Sequence, residues 1–368
     1  MKIIIDLRVY NWTGIGRVAK GYAKYLPDAR SKTSFVYILN PGQADEISFP
    51  NVKKEYIPYK TFDLREHLAI WNVIRKHNDA KVFHALHFNI PFYIPPGIKL
   101  VSNIYDLAYE YTNDAFRTVF HKIYYKIFFK RTLERSDKII SQSDFTKQDL
   151  NKYYNHSTSE VIYPGFNAEE WKSKKLIPSK EYKNILEDDY ILFVGINHPR
   201  KNLKLLVEVF SEILLNNPQL TCKLIIVGKN EDKRYNISKD ILRRKMGDKI
   251  KLLGFVNDET LKILYNNAMI YIIPSLIESG YSYPALEAAS YGVPVMANKY
   301  DMQGFGRNAL RYFNATDKID FNFKLEEFII NQQLRSDYSQ RALKWSNSYQ
   351  WNNYISKLNN IYNLFIND

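Results

Sequence analysis

Residues 271–298 read YIIPSLIESGYSYPALEAASYGVPVMAN, and the pattern of this stretch decides the fold class of the chain. An apolar run breaks at Pro274, passes through a loop with Glu278 and Gly280, and restarts as a helical pattern that carries Glu287. A strand, a turn and a helix are predicted in succession. The amides and the dipole at the helix N-terminus favour a diphosphate, and a carboxylate one turn further on can accept hydrogen bonds from sugar hydroxyls. The stretch therefore predicts a site for a nucleotide-sugar.

Short apolar runs alternate with helical patterns along the whole chain. The runs are KIIID, FVYIL, KVFHAL, KLVSNIYD and KIISQS in the first half and YILFVG, KLIIVG, KIKLLGF, MIYIIP and VPVMA in the second. Strands that are almost continuously hydrophobic and separated by helices are typical of parallel sheets covered on both faces. The sequence therefore predicts an α/β protein with two doubly wound parallel sheets, whose ligands bind at the carboxyl ends of the strands, in the cleft between the domains.

A length of 368 residues is enough for two domains of ordinary size. We assign residues 1–168 to a first domain and residues 185–348 to a second. The segment 169–184 is rich in Lys and loses strand character, which indicates a linker. Residues 349–368 predict an amphipathic helix, because apolar and aromatic side chains recur in them at helical intervals from Trp351 onward.

Composition restricts the classes of partner and compartment. The formal net charge of +13 favours an anionic partner, which could be a nucleotide-sugar, a nucleic acid or an anionic membrane surface. The single cysteine, Cys222, excludes an internal disulfide and is predicted to be a small buried residue, which suits a reducing compartment. The first residues lack the features of a secretory signal, and no apolar run reaches about 18 residues. We therefore expect a cytoplasmic protein.

The stretch with Glu278 and Glu287 resembles the signature of the retaining glycosyltransferases of the GT-B fold, in particular glycosyltransferase family 4, also called group 1. Relatives have seven residues between the two acids, whereas this chain has eight, so Ser279 is read as an insertion that makes the donor loop bulge. The resemblance implies that Glu278 holds donor sugar hydroxyls and Glu287 the ribose. It also implies that the loop between them contacts the donor through Ser279, Gly280, Tyr281 and Ser282. Relatives commonly end with a helix that begins at a Trp and crosses back to the first domain, which the resemblance implies for residues 349–368.

Two further motifs of the second half resemble the same family. The run INHPRKNL matches a Pro-Arg-Lys-Asn turn, in which Arg200 and Lys201 would stabilise the leaving diphosphate as its negative charge grows. Ile196 replaces the additional Arg that many relatives have, so the predicted basic clamp is this pair alone. The run after Gly254 resembles the segment that holds the nucleotide base, which implies that role for Phe255 and Val256.

In the first half, a Gly-rich turn after the first strand resembles the Gly-Ile-Gly-Arg loop of relatives. The resemblance implies donor contacts at Gly14 and Gly16 and an acceptor-side position for Arg17, with Asp6 as a polar partner.

Two histidines stand near the end of the third predicted strand, His84 and His87. Relatives place a histidine there, close to the reacting sugar, and we prefer His87 for that catalytic role and place His84 on the acceptor side. Tyr105 and Asp106 are likewise expected on the acceptor side, at a position where relatives often have His-Asp. Because Tyr105 stands where relatives have the histidine, a role carried by that histidine side chain is in doubt for this chain.

Residues 116–137, FRTVFHKIYYKIFFKRTLERSD, carry Lys122, Lys126 and Lys130 four residues apart, with aromatic side chains between them. As a helix, this segment would suit an anionic membrane surface or a lipid-linked acceptor. An ordinary domain helix with its basic residues in water is the alternative. No nucleic-acid-binding motif is evident, so a nucleic-acid partner is not expected.

The family resemblance implies transfer of a sugar, with retention of the anomeric configuration, from a nucleotide-sugar to a hydroxyl of a glycan or of a lipid-linked acceptor, in surface polysaccharide or glycolipid synthesis. It implies a front-face mechanism without a metal or other cofactor. A sugar-nucleotide epimerase or hydrolase is disfavoured, because its resemblances would lie in other motifs. A catalytically silent subunit that binds a nucleotide-sugar or acts as a scaffold is the alternative from another class.

Overall fold

The computed structural model describes residues 1–12, 14–30, 32–111, 118–172, 186–229 and 235–365. Within them, strands and helices alternate as the sequence predicts. The strands are β1 (Lys2–Asp6), β2 (Ser34–Leu39), β3 (Val52–Tyr56), β4 (Val82–Ala85), β5 (Lys99–Ile104), β6 (Lys138–Ser141), β7 (Glu160–Val161), β8 (Tyr190–Val194), β9 (Lys223–Val227), β10 (Ile250–Gly254), β11 (Ile270–Ile273), β12 (Val295–Asn298) and β13 (Arg311–Phe313).

The helices connect these strands, and several begin at a Ser, Thr, Asn or Asp side chain that accepts an amide of the first turn. Short 3-10 helices span Arg8–Asn11 and Pro199–Lys201. The α-helices are α1 (Ile15–Ala29), α2 (Arg65–Lys76), α3 (Ala108–Tyr111), α4 (Val119–Arg135), α5 (Asp144–Tyr154), α6 (Ala168–Lys172), α7 (Leu203–Asn216), α8 (Ile237–Arg243), α9 (Asp258–Asn267), α10 (Tyr283–Ser290), α11 (Lys299–Gly306), α12 (Lys318–Ile330), α13 (Gln332–Ser346) and α14 (Trp351–Leu364).

The chain divides into two compact units. Unit 1 comprises Met1–Gly165 and Tyr349–Asp368, and unit 2 comprises Phe166–Ser348. The terminal segment thus returns to the first unit, as the resemblance implies. The segment 169–184, for which we predict a linker, begins inside α6, and its residues from 173 onward lie outside the described residues.

The sheet of unit 1 has seven parallel strands in the order β3-β2-β1-β4-β5-β6-β7. Its central strands carry isoleucine, valine and phenylalanine side chains that are wholly buried, as expected for a parallel sheet with helices on both faces. The order reverses between β1 and β4. At such a switch point the loops that follow the two strands diverge, and a crevice forms outside their carboxyl ends.

The terminal helix α14 packs on unit 1 through aromatic side chains. Trp351 lies so close to Gly21 and Gly165 that a Cβ atom at either glycine would come within 1.9 and 2.5 Å of it, respectively. The hydroxyl groups of Tyr354 and Tyr22 are 2.7 Å apart and form a buried hydrogen bond. The predicted amphipathic helix is therefore confirmed, and its apolar face completes the core of unit 1.

The sheet of unit 2 has six parallel strands in the order β10-β9-β8-β11-β12-β13. Its core joins the strands to α7 and α12 through buried aliphatic and phenylalanine side chains, and Cys222 lies in this core, 4% exposed. The order reverses between β8 and β11. Both predicted doubly wound sheets are thus confirmed, and the two sheets have their switch points at β1/β4 and β8/β11.

Candidate active site

Two loops of unit 2 meet at the switch point between β8 and β11. The first loop contains the 3-10 helix Pro199–Lys201, where Nδ1 of His198 accepts the amide of Arg200 at 3.3 Å. The second loop covers residues 274–282. The amide of Leu276 donates to the carbonyl oxygen of Arg200 at 2.8 Å, so a backbone hydrogen bond joins the two loops.

Lys201 and Glu278 form an ion pair across these loops, and each side chain is 12% exposed. Ser275 donates its hydroxyl to the same carboxylate oxygen. Burial raises the pKa of Glu278, but the positive charges of Lys201 and Arg200 and the hydrogen bonds outweigh it and leave that pKa below its ordinary value. Burial lowers the pKa of Lys201, although Glu278 opposes the shift. Glu278 is therefore a carboxylate at neutral pH.

Arg200 contributes a second positive charge to this cluster. It is half-buried, and its Nη1 donates to the carbonyl oxygen of Ile277 at 3.4 Å. The structure thus brings together Arg200, Lys201 and Glu278, three of the four residues for which we predict a catalytic role. Two cations beside one carboxylate leave a net positive charge, which can bind and stabilise an anionic leaving group.

The loop with Glu278 is held by Asp301, which the sequence analysis missed. Oδ2 of Asp301 accepts the amide of Glu278 and, at 2.7 Å, the amide of Ser279. Ser279 and Gly280, at the position of the additional residue, both have left-handed backbone angles, with φ of +61° and +75°. Burial raises the pKa of Asp301 to about 7, and the charge of Glu278 adds to the shift. The sequence feature that could have identified Asp301 is its position just beyond the predicted strand VPVMA.

The N-terminus of α10 differs from the site that the sequence predicts. Ser282 is the helix cap, and its hydroxyl accepts the amide of Ala285 at 3.4 Å. Pro284 has no amide proton, so the first turn offers fewer donors to an anion than an ordinary helix. Glu287 is 0% exposed. Ser282 is thus the cap of α10, and Glu287 is wholly buried within the unit. The donor roles assigned to these two residues stay predictions.

The residues assigned to the nucleotide base lie beyond the end of β10. Phe255 is 77% exposed, whereas the side chain of Val256 is buried in the unit, which leaves only the backbone of Val256 for a base contact. Tyr281, assigned to the donor loop, packs against Phe305 with ring centroids 4.8 Å apart. Its ring is thus anchored to α11.

His84 is a core residue of unit 1. It is 0% exposed. Its Nδ1 lies 2.6 Å from the hydroxyl of Tyr362, and its Nε2 lies 3.0 Å from Oδ1 of Asn103. Burial lowers the pKa of His84 to about 4, so the ring is neutral. The acceptor-side assignment of His84 is therefore wrong, because both ring nitrogens bond within the core and help to hold α14.

His87 lies at the switch point of unit 1, just beyond β4. Nδ1 of His87 accepts the amide of Asn89 at 3.1 Å. Three rings surround the imidazole, those of Trp12, Phe62 and Phe88, with centroids 5.2, 5.0 and 4.3 Å away. Burial lowers the pKa of His87 to about 3, and the charge of Arg8 adds to this shift. At neutral pH His87 is thus a neutral imidazole in an aromatic enclosure.

A buried ionic network supports this enclosure, and of its members the sequence analysis named only Asp6. Arg8 donates Nε to Oδ1 of Asp6 at 2.8 Å and Nη1 to Oε2 of Glu66. Oε1 of Glu66 accepts the amide of Phe62 at 2.8 Å and the side-chain amide of Asn89. Burial raises the pKa of Glu66 to about 7, against the attraction of Arg8. Arg8 and Glu66 are 58 positions apart, so no local pattern marks the pair.

The remaining first-half assignments occupy the loops after β1 and β5. Gly14 has φ of +69° at the start of α1. A Cβ atom at Gly16 would lie 2.6 Å from the carbonyl oxygen of Tyr10, so close packing of α1 on the 3-10 helix requires this glycine. Arg17 is half-buried in the first turn of α1. Thr13, which precedes these residues, lies outside the described residues.

The loop after β5 carries the last two acceptor-side assignments. The carbonyl oxygen of Tyr105 accepts the hydroxyl of Thr146 at 2.8 Å. The side chain of Tyr105 is half-buried, whereas Asp106 is exposed. Of the two, Asp106 is therefore the more accessible to a ligand.

The basic segment forms α4, whose exposed face combines basic and apolar side chains. Lys122, Lys126 and Lys130 are exposed. The apolar members of the same face are Val119 (73% exposed), Phe120 (83%), Ile123 (50%) and Ile127 (58%). Arg131 is an exception, because it donates to the carbonyl oxygen of Phe92 within unit 1. Residues 116 and 117 lie outside the described residues.

Within the described ranges, no three His, Cys, Asp or Glu side chains are grouped so that they could hold a metal ion. None of the helices in the same ranges has both the length and the apolar character needed to cross a bilayer.

Two family models match the chain in succession. The model described as Glycosyltransferase Family 4 matches residues 12–170, and the model described as Glycosyl transferases group 1 matches residues 177–345. The two matches correspond to the two sheets. The chain therefore belongs to this glycosyltransferase family, as its resemblance predicts.

Two curated relatives are identical to the chain at about a fifth to a quarter of the aligned positions. An uncharacterized glycosyltransferase of Methanocaldococcus jannaschii is 26% identical over 250 residues, which are 62% of this chain and 60% of the relative. The O-antigen chain mannosyltransferase B of Escherichia coli is 21% identical over 288 residues, 77% of this chain and 74% of the relative. The matched region thus spans less than two thirds of the archaeal relative's length.

Solved structures share the fold over the full length. Sucrose-phosphate synthase from Thermosynechococcus elongatus superposes with a TM-score of 0.77 at 15% identity and covers 100% of both chains. The Anabaena protein HepE in complex with UDP-glucose superposes with a TM-score of 0.75 at 15% identity and covers 99% of both chains. The fold is therefore GT-B, with one doubly wound sheet in each unit.

Proposed function

We propose that the protein is a retaining glycosyltransferase that moves a sugar from a nucleotide-sugar to a hydroxyl of a glycan or of a lipid-linked acceptor, in surface polysaccharide or glycolipid synthesis. One observation carries the proposal: Arg200, Lys201 and Glu278 converge at the switch point of unit 2, on loops joined by a backbone hydrogen bond. Ligands of doubly wound sheets bind at such points. The resemblance to the E. coli mannosyltransferase and to a protein that binds UDP-glucose supports this class of substrate.

In this proposal the positive cluster binds the diphosphate of the donor. Arg200 can contact two phosphate oxygens with its planar guanidinium, and Lys201 supplies a compact charge. Glu278 accepts hydrogen bonds from hydroxyls of the donor sugar, because its lowered pKa keeps it ionised. These two cations, rather than a metal ion, neutralise the leaving diphosphate. If so, transfer continues at an undiminished rate in excess EDTA. Loss of activity in EDTA would contradict the role that we assign to the two cations in place of a metal ion.

The proposed reaction is a front-face substitution. The bond between the anomeric carbon and the diphosphate oxygen breaks while the acceptor hydroxyl oxygen approaches from the same face and forms the new glycosidic bond. The acceptor proton moves to the departing diphosphate oxygen, and the configuration at the anomeric carbon is retained. The cationic cluster accelerates this step because it stabilises charge that develops on the leaving group. Proton NMR of the product decides between retention and inversion.

A screen of nucleotide-sugars against the full chain tests the proposal. A donor that binds the native state raises Tm by an amount that grows with the logarithm of its affinity, and the same donor supports transfer to a membrane extract. Glu278→Gln is expected to abolish transfer, whereas Glu259→Gln, an exposed acid of α9, leaves it unchanged. No Tm shift with any nucleotide-sugar contradicts the proposal.

A catalytically silent subunit is the second candidate, and the donor loop favours it. The carboxylate of Asp301 takes the amides of Glu278 and Ser279, and the additional residue gives the loop two left-handed positions. Tight nucleotide-sugar binding without any product, in the presence of membrane extract, supports this candidate. Turnover excludes it.

We propose further that α4 contacts an anionic membrane surface on which the acceptor resides. Four exposed apolar side chains stand beside Lys122, Lys126 and Lys130 on one face of the helix. Apolar side chains can enter the boundary between head groups and acyl chains, while each lysine contributes about 1 kcal/mol near anionic lipid. Co-sedimentation with vesicles of phosphatidylglycerol, compared with phosphatidylcholine, tests this contact.

A further inference from the structure

We propose that Trp12, Phe62 and His87 form a subsite for one pyranose ring of the acceptor, and that the buried Glu66 positions it. The subsite deepens the proposed function, on which its catalytic consequence rests. All four residues belong to unit 1, at the switch point between β1 and β4.

The geometry of the rings suits a flat, neutral ligand. The rings of Trp12 and Phe62 are stacked, 25° from parallel with centroids 6.3 Å apart. The imidazole of His87 stands nearly perpendicular to both, at 81° and 77°. Trp12 is 37% exposed and Phe62 is 40% exposed. The negative aromatic faces attract the weakly positive C–H groups on one side of a pyranose ring.

Phe62 is held in a strained backbone conformation. Its φ is +75°, in the left-handed region, which is unfavourable for a bulky residue. The amide of Phe62 donates to Oε1 of Glu66 at 2.8 Å, and Arg8 fixes the other oxygen of that carboxylate. Since 40% of the Phe62 side chain remains exposed, core packing alone does not account for the strain. Strained residues held by their surroundings cluster at ligand sites.

The same carboxylate determines what His87 offers to a ligand. Oε1 of Glu66 accepts the side-chain amide of Asn89, and the backbone amide of Asn89 donates to Nδ1 of His87 at 3.1 Å. Because Nδ1 accepts this bond, a neutral imidazole carries its proton on Nε2. Nε2 therefore donates to a sugar oxygen beside the aromatic faces. Glu66 thus positions both Phe62 and His87 without touching the ligand.

The charges nearby argue against an anionic ligand. The guanidinium of Arg8 is shared between two carboxylates, those of Asp6 and Glu66. The guanidinium of Arg8 therefore has no surplus positive charge with which to bind a phosphate. A neutral sugar ring, with apolar C–H faces and hydroxyl edges, matches both the rings and the single imidazole donor.

The decisive variant is Phe62→Gly. Glycine adopts a positive φ without strain, so Tm is expected to stay within about 3 °C of the wild type while the acceptor KM rises about 10-fold and the donor KM is unchanged. Phe323→Ala removes an exposed ring from α12 in unit 2, where Phe323 is 64% exposed, and leaves all three quantities unchanged. An acceptor KM of Phe62→Gly within 2-fold of the wild type overturns the subsite.

Binding without transfer separates the subsite from the proposed function. The full chain is labelled with 5-fluorotryptophan, and the Trp12 resonance is identified by its absence in Trp12→Phe. Methyl α-mannoside, methyl α-glucoside and methyl N-acetylglucosaminide are the probes, with inorganic phosphate as the anionic comparison. At least one glycoside is expected to shift the Trp12 signal in the wild type and in a chain that shows no transfer, but not in Phe62→Gly. A shift with phosphate alone, or no shift with any probe, overturns the proposal.

Glu66 is tested as a positioning residue through its coupling to Phe62. Glu66→Gln is expected to raise the acceptor KM about 5-fold in the wild-type background and less than 2-fold in Phe62→Gly, because both changes act on the same ring. A carboxylate that only stabilises the fold would lower Tm and leave the acceptor KM unchanged in both backgrounds, and that result removes the positioning role.

Discussion

The two switch points occupy the same place in their sheets but have opposite chemistry. At β8/β11 in unit 2, two cations and one carboxylate lie partly exposed on loops. At β1/β4 in unit 1, the ionic groups of Arg8 and Glu66 are fully buried, and aromatic rings are exposed in their place. Equivalent topology provides two crevices, and the side chains on the loops determine that one suits an anion and the other a neutral ring.

The comparison predicts, first, that the buried charges of unit 1 stabilise the folded protein. Arg8→Met leaves the buried carboxylate of Glu66 and the partly exposed carboxylate of Asp6 without their guanidinium. The change is expected to cost about 3–5 kcal/mol of unfolding free energy. Arg75→Met, at an exposed position of α2, is expected to change it by less than about 0.5 kcal/mol. Urea denaturation measures both. Equal stability of the two variants would show that the buried network is not needed for the fold.

The charges of unit 2, by contrast, are expected to serve transfer. Lys201→Ala should lower kcat/KM about 100- to 1000-fold, because a charge that stabilises the leaving group is lost. Lys204→Ala, an exposed lysine of α7, is the matched control and should leave kcat/KM unchanged. Steady-state kinetics with the donor from the screen gives the values. A kcat/KM of Lys201→Ala within 3-fold of the wild-type value would show that the charges of unit 2 do not serve transfer.

A third prediction concerns the outer surface of unit 1. Lys122→Ala together with Lys126→Ala should weaken binding to anionic vesicles by about 2 kcal/mol, since each lysine contributes about 1 kcal/mol near the surface. The loss should shrink as salt is raised. Lys344→Ala together with Lys357→Ala, exposed positions of α13 and α14, should bind as the wild type does. If both double variants bind equally, α4 is an ordinary domain helix.

The smallest expected effect, taken per pH unit, is the pH dependence that Asp301 gives to unit 2. Its pKa is about 7 in the folded protein against an ordinary value of 3.8, so between these pH values the folded state holds a proton that the unfolded state has lost. Stability therefore falls as pH rises through this window, by at most about 1.4 kcal/mol per pH unit, and no further above it. Asp301→Asn should make this decline less steep in urea titrations at pH 5, 6 and 7. The part contributed by Glu66, whose pKa is also raised to about 7, should remain.

The exposed Asp248→Asn is the control for that titration. Its stability should follow the wild-type curve at each pH. A parallel decline in Asp301→Asn and the wild type would assign the pH dependence to another group.

Local pattern was enough for the interior of both sheets but for only one of their four edge strands, β10. All ten predicted runs form strands, whereas β3, β7 and β13 were not predicted. These three lie at sheet edges, and β3 reads VKKEY. An edge strand is covered less and tolerates charge, so it lacks the continuous apolar run that marks a central strand.

In the candidate site, likewise, some residues can be identified from the local sequence, whereas others can be identified only from the packing of distant segments. Arg200, Lys201 and Glu278 could be named because polar residues just beyond parallel strands converge at one edge of a sheet. His84 and His87 are three residues apart, and only the packing shows that His84 bonds to Tyr362 in α14 while His87 meets the exposed rings. The burial of Glu287 equally depends on what covers α10.

By itself, the sequence determined the α/β class, the central strands, the returning terminal helix and the family, because these follow from periodicity and from motifs a few residues long. Only the tertiary structure decided which charges pair. Lys201 meets Glu278 from 77 positions away and Arg8 meets Glu66 from 58. Such pairs form because folding brings separate loops to one edge of a sheet, where burial makes each charge depend on its neighbour.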